Sequence, residues 1–120
     1  MKLRIKGNTI RLRLTQSEVA TLGEGGSVTE TTIFSPTAHF EYEVQAREVS
    51  AVEAEYQNSR MVIYLPKESA RAWAVSNDVG IEAEQHQLKI IIEKDFACLS
   101  PRGEEDSDTF ENPMSEQIKC

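Results

Sequence analysis

The chain has 120 residues, 39% of them apolar, which suits one domain with a hydrophobic core and is too short for two. Its net charge of −7 is unevenly placed, because residues 103–120 carry six acids against one lysine, whereas residues 1–102 carry fourteen acids against twelve bases. A body so close to neutral argues against general attraction to nucleic acid or to anionic lipid, because both depend on summed positive charge.

The first two predicted strands form a hairpin. Residues 2–6 have apolar side chains at odd positions, and residues 10–14 have them at even positions. The parity changes at Gly7–Asn8, where both residues adopt positive φ at low cost. A tight hairpin or one long strand with a bulge would give a common inward face, and we favour the hairpin.

A short helix is predicted to follow. Thr15 and Glu18 have the spacing of a capping box, in which each side chain accepts a hydrogen bond from the backbone amide of the other residue. Val19 and Leu22 lie on one face of this helix, and the glycine-rich residues 23–26 end it.

Four candidate strands come next, separated by turn-forming residues such as Ser35–Pro36 and Asn58–Ser59. They cover residues 28–34, 39–47, 51–57 and 61–65. Apolar and polar side chains alternate strictly through the second and third of them, so that one face is buried and the other lies in water. This pattern is typical of an antiparallel meander.

A second helix and two strands complete the predicted elements. Residues 66–75 start with a proline, which is tolerated in the first helical turn, and Ala70, Trp73 and Ala74 share one helix face. A short strand over residues 79–83 follows the helix.

The stretch 88–102 is the predicted centre of the fold. Ile90–Ile92 breaks the alternation, so both faces of this strand are expected to meet apolar neighbours. Phe96 and Leu99 are expected to continue the burial beyond the end of the strand.

The predicted class is α+β, with a mostly antiparallel, curled or barrel-like sheet and two short helices. Residues 1–102 are expected to form a single globular domain, and residues 103–120 an acidic, partly disordered tail. The two halves of the domain echo one another, since each has a hairpin, a short helix and further strands, but they share no residue-level identity.

The sequence predicts a cytoplasmic protein. Cys98 and Cys120 cannot form a disulfide framework, which favours a reducing compartment. The first residues lack the apolar run of a signal peptide, and no apolar run in the chain is long enough to span a membrane.

Both ends of the chain carry recognisable sequences. The opening is KLRIKGNTIRLRLT with Glu18, and the closing part is EKDFACLSPR followed by acids and Asn112–Pro113. These sequences resemble a small family of uncharacterised bacterial proteins of about this length, and the resemblance covers nearly the whole chain. It implies a bacterial, cytoplasmic protein with a domain of unknown function, and it transfers no site residue because the family has no assigned activity or cofactor.

The first candidate site is the basic face of the opening hairpin. It consists of Lys2, Arg4, Lys6, Arg11 and Arg13. These cations are suited to contact phosphate groups. The alternative, which we favour, is that they pair across strands with the acids of the meander, which are Glu41, Glu43, Glu53 and Glu55.

The second candidate site is a loop cluster of Asp95, Cys98 and Arg102. A thiol activated by a neighbouring cation would be a nucleophile or a redox sensor. Because Cys98 has apolar neighbours, we favour the simpler interpretation that it packs as a small apolar residue. The acids at 104–108 lack the ligand spacing and turn glycine of a calcium loop, so neither a metal site nor a cofactor is predicted.

Two functional hypotheses follow from these patterns. The favoured one is a non-enzymatic interaction or binding domain, with a protein partner or as a homodimer, whose acidic tail shields the basic face. The alternative is a small enzyme or ligand-binding protein that acts on an anionic, phosphate-bearing substrate through the basic strands, with Asp95 or nearby glutamates as acid–base groups. The first predicts a flat charged surface, and the second predicts a concavity with a buried carboxylate.

Overall fold

The computed structural model describes residues 1–96. In chain order the elements are β1 (Lys2–Lys6), β2 (Thr9–Leu14), α1 (Gln16–Gly23), β3 (Ser27–Ser35), β4 (Ala38–Arg47), β5 (Glu53–Gln57), β6 (Arg60–Pro66), α2 (Lys67–Ala74), β7 (Gly80–Gln85) and β8 (Leu88–Lys94). Every element predicted from the sequence is present, with small differences at the ends. Neither helix in this range is long and apolar enough to cross a membrane.

Strand pairing forms two separate four-stranded sheets. Sheet A has the order β1-β2-β8-β7, and sheet B has the order β3-β4-β6-β5. The outer pairs are antiparallel, but the central pairs, β2 with β8 and β4 with β6, are parallel. The α+β class is therefore correct, and most strand pairs are antiparallel as expected. The expectation of one curled or barrel-like sheet is wrong, because the strands form two separate sheets that are mixed and open.

Burial on both faces explains why the expected meander does not form. Val62 of β6 and Ile91 of β8 lie on the faces opposite the core, yet they are only 2% and 7% exposed. A strand with apolar side chains on both faces is favoured at a central position. This explains why β6 lies between β4 and β5 and why β8 lies between β2 and β7. Strand β6 runs parallel to β4.

The two halves of the chain have the same order of elements. The first half is β1-β2-α1-β3-β4, and the second is β5-β6-α2-β7-β8. Each sheet combines the first hairpin of one half with the second hairpin of the other. The echo predicted from the sequence is thus present in the architecture, with the two halves interlocked.

One hydrophobic core joins both sheets and both helices. Leu12 on β2 is paired with Ile92 on β8, and Ile63 on β6 is paired with Val44 on β4, and all four side chains are fully buried. Trp73 of α2 packs in the same cluster, as its helix face predicts. Since each sheet draws on both halves, neither half closes the core alone.

The turn between β1 and β2 confirms the predicted hairpin. Lys6 is paired with Thr9, so only Gly7 and Asn8 lie between the strands. Gly7 has φ of +54°, the left-handed conformation that a two-residue hairpin turn requires. The alternative of one long bulged strand is therefore wrong.

Two local expectations are wrong. Phe96 does not continue the burial of β8, because its side chain is 58% exposed. Its proposed companion, Leu99, lies outside the described residues. Pro66 precedes α2 as its N-cap residue and is not part of the first helical turn, since its own ψ of 134° is extended.

The two helices are in close contact at Gly23 of α1. A Cβ atom added there would lie 2.6 Å from the Cβ of Ala74 on α2, which is closer than two carbon atoms can pack. A glycine in the last turn of a helix has an entropic cost relative to alanine. The close contact between the helices explains why glycine occupies this position despite that cost.

The start of α1 is fixed by the predicted capping box. Thr15 Oγ1 accepts a hydrogen bond from the Glu18 amide at 3.4 Å, and Glu18 Oε1 accepts one from the Thr15 amide at 2.8 Å. The other carboxylate oxygen of Glu18 lies 2.9 Å from the amino group of Met1. Partial burial alone would raise the pKa of Glu18, but these hydrogen bonds and the amino group outweigh it, and the net pKa is lowered.

We predict that Gly23→Ala lowers the free energy of unfolding by about 1–3 kcal/mol, because the added methyl group overpacks the helix contact. Ala74→Gly in the same chain should restore part of this loss by removing the opposing Cβ atom. Urea unfolding of the two single variants and the double variant measures the coupling. Ala72→Gly, at an exposed position of the same helix, is the control, and an equal restoration by this variant would contradict the contact.

We also predict a pH effect at Glu18. Because the pKa of Glu18 is lower in the folded state than its unfolded value of about 4.3, the ionised carboxylate stabilises the fold above that value. This stabilisation is lost as the pH falls through the folded pKa. Glu18→Gln should therefore reduce stability at pH 7 by about 0.5–1 kcal/mol and flatten its decline below pH 5.

Thermal unfolding between pH 3 and 7 measures this difference. The control is Glu24→Gln at the opposite end of α1, where the helix dipole disfavours an acid. An unchanged pH profile in the Glu18 variant would show that its carboxylate does not stabilise the helix start.

Candidate anion-binding face

The five predicted cations lie together on the outer face of sheet A, opposite the core. Cross-strand pairing places Lys2 beside Arg13 and Arg4 beside Arg11. Lys6 is paired with Thr9, and Lys89 of β8 is the next neighbour of Thr9 in the same row. We call the surface formed by Lys2, Arg4, Lys6, Arg11, Arg13 and Lys89 the basic face.

The hairpin itself explains this clustering. The even-numbered side chains of β2, such as Leu12, point into the core, so its odd-numbered side chains must point outward. In an antiparallel pair, residues directly opposite each other share a face, which brings the cations of β1 to the same side. Sequence reasoning found five members but missed Lys89, which alternates with the buried isoleucines of β8.

Carboxylates from the end of β8 pair with one end of the basic face. Glu93 Oε1 lies 2.9 Å from Arg13 Nε and 3.7 Å from Arg11 Nε. Asp95 Oδ2 lies 3.2 Å from Lys2 Nζ. At the opposite end of β1, Lys6 has no ion pair within residues 1–96.

The predicted partners of the basic face were the acids of the meander, and this pairing is wrong. Glu41, Glu43, Glu53 and Glu55 all belong to sheet B, whereas the cations belong to sheet A. Ion pairing does occur within residues 1–96, but its acids are Glu93 of β8, Asp95 just after it, and Glu82 of β7, which lies 3.5 Å from Lys89 Nζ. Ion pairs between parallel strands that are far apart in the sequence, such as β2 and β8, have no local sequence signal.

A shallow hollow lies within the basic face. Its lining residues are Arg4, Lys6, Thr9 and Arg11, and its volume is about 140 Å³. Sites for drug-sized ligands usually occupy about 300–1,000 Å³, so this hollow is too small to enclose a whole metabolite. It can receive one anionic group from a larger molecule.

The outer face of sheet B has the opposite charge. Glu43 is only 5% exposed and accepts hydrogen bonds from Arg60 and from Gln45 Nε2, the latter at 2.9 Å. Arg60 Nε also donates to Glu41 at 2.6 Å, and this hydrogen bond together with the nearby carboxylates raises the pKa of Arg60. Arg60 thus offsets part of the acidity of this face within the sheet.

A sequence comparison places the chain in a family. The profile described as "Family of unknown function (DUF7009)" matches residues 1–114. The chain belongs to this family. No curated protein sequence matches it. The matched range of the DUF7009 domain includes the whole basic face and most of the acidic C-terminal segment.

The second candidate site of this DUF7009 protein is only partly described. Asp95 is ion-paired with Lys2, and its backbone amide donates to the Leu14 carbonyl at 2.9 Å. Cys98 and Arg102 lie outside the described residues. Asp95 therefore belongs to the border of the basic face, and the cluster of all three residues stays a prediction.

A larger cavity of about 570 Å³ lies beside Asp95, between the start of α1 and the end of α2. Lys94 lies on its wall, donating to the Ser76 carbonyl at 2.7 Å with its ammonium group 5.7 Å from the centre of the Trp73 ring. Among residues 1–96, no three His, Cys, Asp or Glu side chains are placed to hold a metal ion.

We predict that Arg13→Glu lowers the melting temperature by several degrees. The substitution replaces a half-buried ion pair with two carboxylates close to each other, at a cost of about 1–2 kcal/mol. Differential scanning calorimetry measures the change. Arg71→Glu makes the same charge change on an exposed position of α2, and an equal loss in that control would exclude a specific role of the Glu93 pair.

Proposed function

We propose that this protein is a non-enzymatic binding domain whose basic face binds an extended, acidic segment of a partner protein. The observation that carries this proposal is the placement of five cations on one face of two adjacent strands, at the edge of sheet A. The body of the chain is slightly acidic overall, so this concentration of positive charge is local.

The spacing of the cations supports an extended partner. Lys2, Arg4 and Lys6 alternate along β1, and residues two apart in a strand are separated by about 6.8 Å. An acidic segment in extended conformation presents every second carboxylate at the same interval. Because β1 is an edge strand, such a segment is also able to lie alongside it and use its backbone groups.

The shape of the face supports a binding role over an enzymatic one. An enzyme of the alternative hypothesis needs a concavity with an available acid–base group. The hollow of about 140 Å³ has no carboxylate among its described lining residues, and the larger depressions beside it, of about 350 and 570 Å³, are lined by Glu93 and Asp95, respectively. The carboxylates that border it, Glu93 and Asp95, are occupied by ion pairs with Arg13 and Lys2. In this arrangement the two carboxylates hold the side chains of Lys2 and Arg13 in position.

A phosphate-bearing small molecule is the second candidate ligand. The hollow favours it, because three cationic residues, Arg4, Lys6 and Arg11, line it together with Thr9. A phosphate group would fit the hollow while the remainder of the molecule lay on the open sheet face. Pyrophosphate is therefore the competitor of choice in a binding experiment.

We predict that a fluorescent twelve-residue oligoglutamate peptide binds the full-length protein and that an oligoglutamine peptide does not. The double variant Arg4→Gln with Lys6→Gln should weaken the dissociation constant about five- to tenfold, because two charge contacts are lost. Fluorescence anisotropy at several salt concentrations measures this, and affinity should fall as salt rises.

The matched control is Lys67→Gln with Arg71→Gln on α2, which removes the same charge from another surface. Equal weakening in the control would mean that net charge and not the basic face determines binding. Binding of pyrophosphate without binding of the peptide would instead favour the second candidate.

A further inference from the structure

We infer that the basic face is occupied in the isolated protein by an acidic segment of the same chain, residues 104–108. This inference rests on the proposed function, because it names what competes with the partner for the same surface. The segment lies outside the described residues. One observation on the described part, which is where the chain leaves the sheet, and two on the sequence, which are the connecting length and the charge spacing, support this assignment.

The described chain leaves sheet A at the border of the basic face. The Asp95 amide is bonded to the Leu14 carbonyl at 2.9 Å, which keeps the chain beside β2 after β8 has ended. The Asp95 carboxylate is bonded to Lys2 at 3.2 Å, and Lys2 is the first residue of β1. The described chain therefore ends next to the cations.

The connecting length is sufficient. Seven residues separate Phe96 from Glu104, and they span up to about 24 Å when extended. The path from β8 across β2 to the outside of β1 crosses three strand spacings, or about 14 Å. Residues 104–108 are thus able to reach any cation of β1 without disturbing the sheet.

The charges of the segment match those of β1 in period. Glu104, Asp106 and Asp108 alternate with Glu105 and the uncharged Ser107. If this segment is extended, the carboxylates of Glu104, Asp106 and Asp108 lie on one side at intervals of about 6.8 Å. The cations of β1, which are Lys2, Arg4 and Lys6, have the same interval. The segment is therefore an internal copy of the acidic ligand proposed above.

Attachment to the same chain gives the segment a competitive advantage. A short tether produces a local concentration in the millimolar range, so weak ion pairs are enough to hold the segment in place. Individual exposed pairs remain weak and are screened by salt. The contact is reversible, and a partner with more acids or better geometry displaces it.

The first test is zero-length cross-linking of the full-length protein with a carbodiimide, followed by peptide mapping of the monomer. We expect links from Lys2 or Lys6 to Glu104, Asp106 or Asp108, and we expect 0.5 M NaCl to abolish them. Lys67, on α2, is the internal control. Equal links to Lys67, or links that persist in high salt, would overturn the inference.

The second test compares two full-length variants that each lose three negative charges. One carries Glu104→Gln, Asp106→Asn and Asp108→Asn, and the other carries Glu105→Gln, Glu111→Gln and Glu116→Gln. The first should bind the oligoglutamate peptide about tenfold more tightly than the unaltered protein, and the second should change little. Equal gains in both would overturn the inference, because they would reflect net charge alone.

The two proposals fail in different ways. If the cross-links form as expected but no variant binds the peptide, the segment occupies the basic face and the proposed function is wrong. If the peptide binds the unaltered protein and the cross-links are absent, the proposed function stands and the inference is wrong.

Discussion

The parallel pairing of β2 with β8, and of β4 with β6, is the constraint on which the rest of the structure depends. Each of these pairs joins one half of the chain to the other, since β2 and β4 belong to the first half and β6 and β8 to the second. Leu12 and Ile92 meet across the first pair and are fully buried. Parallel strands are stable when both faces are covered, and here the core covers one face while the outer side chains shield the other. Separating either pair would open the core of both halves at once.

This pairing also determines the basic face. Strand β2 contributes its even-numbered side chains to the core, and its odd-numbered side chains include the cations Arg11 and Arg13. Its neighbour β8 supplies Glu93, which orients Arg13, and then Asp95, which binds Lys2. One strand contact therefore positions the cations and orders part of them.

The sequence was sufficient for local features and insufficient for long-range pairing. The hairpin at Gly7–Asn8 and the capping box of Thr15 and Glu18 are correct, because both depend on residues within a few positions of one another. Alternation shows which face of a strand is buried, but it does not show which strand lies beside it, so β4 was wrongly placed next to β5. The apolar run of β6, with Met61, Val62 and Ile63 all buried, is the same signal that identified β8 as central and would have placed β6 correctly. The cations of the candidate site could be grouped from the hairpin, but their ion-pair partners and the burial of Glu43 depend on packing between distant strands.

The correspondence between the two halves separates what the fold requires from what is specific to sheet A. The hairpin β5–β6 occupies in sheet B the place that β1–β2 occupies in sheet A, with Glu53 paired to Tyr64 where Lys2 is paired to Arg13. Glu55 is likewise paired to Val62 where Arg4 is paired to Arg11. The same backbone arrangement therefore accepts acids at the positions where β1 carries cations. Folding of this hairpin does not call for positive charge, and this supports the proposal that the five cations bind an anionic ligand.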